Sequence, residues 1–103
     1  VGSKFKSVFT QEYQVFLSRF REARKTVGLT QETLAERLGE YQIFISRCER
    51  GERRMDVIEL RALCRAMNVP FVEFVTALDA ELEQLEAQPQ ASRSKVLNRE
   101  PES

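Results

Sequence analysis

The stretch from Thr30 to Gly51, TQETLAERLGEYQIFISRCERG, constrains the fold more than any other part of the chain. It holds two short segments with apolar residues at helical spacing. Leu34, Ala35 and Leu38 lie in the first and Tyr41, Ile45 and Cys48 in the second, with Gly39 between them and Gly51 after. Helices this short are not stable alone in water, because nucleation costs more than a turn or two of hydrogen bonds returns. They persist only where their apolar stripes are buried. Ala35 marks a close crossing, since two helices approach tightly only where the side chains between them are small. Gly39 can adopt the left-handed turn of a helix end without steric cost. With Tyr41, Ile45 and Cys48 expected inward, the second helix is left presenting Gln42, Ile43, Ser46, Arg47 and Arg50 outward, with Phe44 at the boundary.

The flanking segments supply the surface on which this pair packs. Phe9, Tyr13, Phe16, Leu17, Phe20 and Val27 recur at mostly helical intervals and predict an amphipathic helix over 10–26. Thr10 is its expected N-cap, Glu12 sits in its first turn, and residues 1–9 form a flexible lead-in. Gly28 stops it, Thr30 caps the next helix, and Leu29 packs on Leu34 as a staple. After the charged loop Glu52-Arg53-Arg54, Asp56 and Glu59 form a capping-box pattern for a fourth helix lined by Leu60, Leu63, Cys64 and Met67. Asn68-Val69-Pro70 ends that helix and starts a fifth. The expected interior contains Phe16, Leu17, Phe20, Leu34, Ala35, Ile45, Leu60 and Leu63. The class is all-α, five helices in one domain over 10–88.

The fifth helix is longer than such a domain needs. Phe71, Val75, Leu78, Leu82 and Leu85 are spaced alternately four and three apart, an a/d-type seam that suits dimerisation. Its other faces carry Asp79, Glu81, Glu83 and Glu86. Pro89 stops it, and residues 89–103 have too few apolar side chains to order themselves, so a disordered tail is expected.

Formal net charge is zero, but the charges are unevenly placed. Residues 1–70 hold 13 Lys/Arg against nine Asp/Glu, whereas residues 71–88 hold five acids and no base. One surface can therefore face phosphates while another does not. The chain of 103 residues has no histidine, which removes imidazole from both metal binding and acid–base catalysis. Cys48 and Cys64 each lie in an apolar helical stretch and are expected as buried thiols, with a disulfide or metal pair as the alternative. No glycine-rich phosphate loop or nucleophile motif is present, so an enzyme is not expected, and no cofactor is implied. No apolar run nears the ~20 residues of a membrane span. No membrane association is expected, and a cytoplasmic setting fits.

The succession TQETLAERLG, QIFISRCERG and a capped fourth helix ending in NVP resembles the helix-turn-helix DNA-binding domain of phage Cro and repressor proteins and their bacterial relatives, the XRE-like family. The likeness covers about residues 13–78. It implies that Gln31 holds a DNA phosphate and that Gln42, Ile43, Ser46 and Arg47 meet base edges in the major groove. It also implies an ion pair between Arg24 and Glu49, and dimers formed through the last helix. Chemistry supports the second implication independently: glutamine suits adenine, arginine guanine, and isoleucine a thymine methyl. Arg50, Arg53 and Arg54 suit the sugar-phosphate backbone beyond. Two positions depart from the family pattern. Glu40 stands where an apolar residue usually packs into the turn, so either the turn is distorted or the carboxylate swings out. Tyr41 stands where Ser or Thr would cap the recognition helix. The expected function is sequence-specific binding of double-stranded DNA by a homodimeric transcriptional regulator reading a palindromic operator. The alternative is a protein-binding adaptor that keeps the fold without DNA contact.

Overall fold

The structure is a computed structural model that describes the backbone of residues 2–87 and the side chains of residues 11–87. Its helices in chain order are α1 (Gly2–Thr26), α2 (Gln31–Leu38), α3 (Gln42–Glu49), α4 (Val57–Met67) and α5 (Phe71–Ala87). No strand occurs among the described residues.

The first four helices end in one way. Gly28, Gly39, Gly51 and Asn68 all take the left-handed region, and the amide after each reaches back to a carbonyl five residues earlier. Glu40 N–H, for example, donates to the Ala35 carbonyl at 2.9 Å, and Glu52 N–H to that of Arg47 at 3.0 Å. This closes orphan carbonyls and turns the chain sharply, which is how four short connections fit into one small core. Gly51 is the most confined, since a Cβ there would sit 3.2 Å from Leu17 Cδ1. The starts of α2 and α4 are as regular. Thr33 N–H donates to Thr30 Oγ1 at 3.0 Å, and Asp56 with Glu59 forms a complete capping box.

The eight residues expected in the interior are all buried, joined by Cys48, Cys64, Met67 and Phe74. Phe20, Leu34 and Ile45 have no exposure at all. Phe16 stacks edge-on against Phe74 with ring centroids 6.2 Å apart, which ties α1 to α5. Both thiols are free and buried. Burial pushes the Cys64 thiol up to about 11 and raises that of Cys48, so both are thiols, not thiolates, at neutral pH.

Three expectations are corrected. First, α1 is helical from Gly2, so Thr10 lies inside it and is not a cap. No proline or glycine interrupts residues 3–26, and nothing in that stretch stops the helix from extending backward. Glu12, expected to profit from a helix start, is mid-helix and faces Glu86 of α5. Burial, and then that second carboxylate, raise its carboxyl above the ordinary range. Second, α5 does not reach past its own domain. Arg19 Nε donates to Glu81 Oε1 at 3.1 Å, Phe71 and Leu78 pack on the core, and Leu82 and Leu85 are half-buried. These contacts come from Glu12, Phe16 and Arg19, which give α5 a face of α1 to lie against. Third, Tyr41 is not inward, as described below. The tail expected at 89–103 lies outside the described residues.

One buried interaction joins α1 to the end of α3. Arg24 Nε donates to Glu49 Oε2 at 2.6 Å and its Nη2 to Oε1 at 3.0 Å, while Nη1 takes the Leu29 carbonyl at 2.8 Å. Arg21 adds a hydrogen bond to the Glu49 carbonyl at 3.2 Å. Arg24 is 7 % and Glu49 3 % exposed, so neither charge is accommodated by water. The forked guanidinium satisfies both carboxylate oxygens at once.

Removing one member of that pair strands a buried charge. Glu49→Ala should cost about 3–5 kcal/mol in chemical denaturation, whereas the double replacement Arg24→Met with Glu49→Leu should recover most of it. Glu12 gives a pH-dependent counterpart. The cost of ionising it in the fold grows as pH rises from the ordinary value of 4.5 and is complete above its raised value. Glu12→Gln should therefore raise the melting temperature at pH 7, a gain that shrinks to nothing toward about pH 4.

Candidate nucleic-acid interface

What α3 presents follows from what it buries. Ile45 and Cys48 are wholly enclosed and Glu49 is held by Arg24, so three points of one face are pinned. The opposite face carries Gln42, Ile43 and Arg47, all exposed, with Ser46 half-buried beside them. Ile43 is 51 % exposed, which for a side chain of that size is a substantial apolar surface offered outward.

Tyr41 completes this surface, contrary to expectation. It is the N-cap of α3, with extended backbone (φ −89°, ψ 153°), and is 82 % exposed. Helical periodicity placed it inward, but a cap residue lies outside the helix and does not share its 100° rotation per residue. The signal was present in the sequence, because the position matching a capping Ser or Thr cannot also be an inward helical position. Its side chain makes no capping hydrogen bond, and the Phe44 amide is met instead by the Tyr41 carbonyl at 3.0 Å. Glu40 is also exposed, and the turn around Gly39 keeps regular geometry, so the carboxylate swings out and the turn is undistorted.

Gln31 and Gln42 are linked to the buried ion pair. Gln31 Nε2 donates to Glu49 Oε1 at 2.9 Å, and Gln31 Oε1 accepts from Gln42 Nε2 at 3.0 Å. The start of α2 thereby orients the first residue of α3, using a carboxylate that is itself fixed by α1. Separation in sequence, 18 and 11 residues, hides these bonds from any local pattern.

The arginines beyond α3 are not free. Arg50 Nε and Nη2 hold both oxygens of Glu52 at 3.0 and 3.1 Å, and Nη1 donates to Ser46 Oγ. Arg53 forks onto Glu59 with two bonds of 2.8 Å, and its guanidinium lies 4.9 Å from the Phe44 ring centroid. Arg54 lies over the Tyr13 ring at 4.3 Å. The hydrogen bonds from Arg50 and Arg53, as the leading cause, hold the Glu52 and Glu59 carboxyls below the ordinary range. Both remain carboxylates at neutral pH. The charged loop 52–54 is thus folded onto α1, α3 and α4. Of the seam residues Phe71, Val75, Leu78, Leu82 and Leu85, only Val75 is exposed, at 39 %, next to Val72 at 73 %. Among the described residues no three carboxylate or thiol groups gather as a metal site would require.

An exposed helical face of amide, apolar and guanidinium groups, flanked by arginines, can contact base edges and phosphates. Comparison with known proteins agrees with this architecture. A helix-turn-helix family model matches residues 20–74. An uncharacterized HTH-type transcriptional regulator of Sinorhizobium fredii is 44 % identical over 62 residues, 60 % of this chain and 80 % of that protein. One from Methanothermobacter thermautotrophicus is 38 % identical over 61 residues, 59 % of this chain and 88 % of that protein. A solved XRE-family like protein from Pseudomonas syringae pv. tomato superposes with a TM-score of 0.72 at 38 % identity, covering 76 % of this chain and 95 % of that one. With its motif, its five helices and these relatives in agreement, the chain belongs to the XRE-type helix-turn-helix family.

Proposed function

We propose that this chain is a DNA-binding transcriptional regulator that lays α3 in the major groove of double-stranded DNA. The observation that carries this reading is the exposure of Gln42, Ile43 and Arg47 on the side of α3 opposite the buried Ile45, Cys48 and Glu49. In that placement Gln42 addresses adenine, Arg47 guanine and Ile43 a thymine methyl, with Ser46 beside them. Gln31 stands at the first turn of α2, where open amides and the helix dipole favour a phosphate. Arg50, Arg53 and Arg54 extend the backbone contact on the far side. Family membership and the regulators related to this chain support DNA binding as the general activity.

The finer reading is a homodimer on a palindromic operator. A recognition helix of eight residues spans only a few base pairs, whereas two on a twofold axis address half-sites about 34 Å apart. Since Phe71 and Leu78 are used by the core, the surface of α5 left for a second copy centres on Val72 and Val75, with the half-buried Leu82 and Leu85 beyond. An adaptor function has one observation in its favour, the adjacent exposure of Tyr41 and Ile43. Salt separates the two readings. Binding to duplex DNA weakens steeply as salt rises, because phosphate contacts release counterions, and an adaptor shows no such binding.

Arg47→Ala should lose about 1–3 kcal/mol per half-site on the preferred operator and relax preference at one base pair. Arg53→Ala should weaken operator and scrambled duplexes alike and lower the salt slope by about 0.9. Titrations of both variants against both duplexes at several salt concentrations check the contrast. If Arg47→Ala leaves both affinities at parent values, α3 does not read DNA. For the dimer, Val72→Asp with Val75→Asp should give monomers with weaker operator binding by sedimentation and titration. A parent protein that sediments as a monomer at tens of micromolar contradicts the assembly.

A further inference from the structure

The arginines suited to DNA phosphates already hold anions of the protein's own. Arg50 is forked onto Glu52, and Arg53 onto Glu59, each with two hydrogen bonds of 2.8–3.1 Å. A carboxylate and a phosphate present the same paired oxygens to a guanidinium, so the two compete for one donor set. All four side chains are near the protein surface, where a duplex can reach the arginines.

We propose that Glu52 and Glu59 are internal competitors for DNA phosphate, which occupy Arg50 and Arg53 in the free protein and hold down its sequence-independent affinity for DNA. The inference rests on the DNA-binding reading above and adds two residues to it, neither of which touches a base. Binding then exchanges one anion for another at each arginine. The exchange is the same on every sequence, so it lowers affinity for operator and bulk DNA together and leaves discrimination to α3. Both carboxylates are ionised at neutral pH, so the competition is fully present there.

Each glutamate is well placed for the task. Glu52 follows Gly51, and its amide is tied to the Arg47 carbonyl at 3.0 Å, so its position is fixed by the end of α3 itself. Glu59 accepts from the Asp56 amide at 3.1 Å, which anchors it in the capping box while Arg53 binds it. Arg53 is further held by the Arg54 carbonyl at 2.8 Å and by the Phe44 ring. A surface pair contributes little on its own, so the expected effect is modest: about two- to fivefold in affinity for each arginine released.

The experiment uses Glu52→Gln and Glu59→Gln in the full chain. Glutamine keeps the shape, and at residue 59 its amide oxygen still accepts from the cap, so the fold is retained; melting curves verify this. Dissociation constants are measured on operator and scrambled duplexes at pH 7 and fixed moderate salt. The expected result is a two- to fivefold tightening on both duplexes for each variant, with their ratio unchanged. The same substitutions are then made on Arg50→Ala and Arg53→Ala backgrounds, where the tightening should vanish because the released donor is gone. Three outcomes overturn the proposal. One is unchanged affinity in the single variants. Another is equal tightening with and without the arginine, which marks simple removal of negative charge. The third is tightening on only one of the duplexes. If the parent binds neither duplex, the DNA-binding reading itself falls; if the parent binds and the variants match it, this inference alone falls.

Discussion

The buried pair of Arg24 and Glu49 holds the geometry on which the rest depends. Glu49 is the last residue of α3, and its carboxylate is held at 2.6 and 3.0 Å by an arginine from α1. The same carboxylate receives Gln31 from α2, and Gln31 receives Gln42, the first residue of α3. One charged contact thus fixes both ends of α3. Between those ends Ile45 and Cys48 fill the core, which sets the rotation of α3 about its axis. A helix of two turns has little stability of its own, so its orientation has to come from such external ties. A buried ion pair is not a cheap way to stabilise a fold, because each ion loses its hydration. What it supplies here is direction, through hydrogen bonds that apolar packing does not provide.

Charge is sorted by helix. Arginines ring α3 and the loop after it, while α5 carries acids only among its charged residues. The zero net charge of the chain conceals this division. Within the basic region the sorting is repeated at short range, since Arg50 and Arg53 each hold a glutamate. The field that a distant duplex meets is therefore weaker than the count of arginines suggests. Under the proposed exchange, contact with DNA makes the same arginines available again.

Much of the fold was legible because burial writes itself into sequence at helical spacing. Phe16, Leu17 and Phe20, then Leu34 and Ala35, then Leu60 and Leu63, are periodic and buried. Glycine and asparagine at 28, 39, 51 and 68 marked the helix ends for the same local reason. Three features were not legible in that way. The start of α1 has no breaker and no distinctive cap, so Thr10 looked like a beginning. How far along α5 the contact with α1 runs was not legible either, because the bond from Arg19 to Glu81 joins residues 62 apart. The partners of Arg53 and Gln31 depend on how elements pack, which helical periodicity does not encode. Of the candidate interface, the outward set Gln42, Ile43 and Arg47 followed from the inward set, while Tyr41 was misplaced by extending helical rotation to a residue outside the helix.

The central claim is that α3 and the residues around it form the surface that meets DNA. Amide chemical-shift mapping of the isotope-labelled protein during titration with duplex DNA tests it most directly, because it locates contact without any substitution. The expected result is a set of salt-sensitive shifts concentrated at Gln31, at Tyr41–Arg47 and at residues 50–54. Shifts confined to α5, or none at any salt concentration, would contradict it.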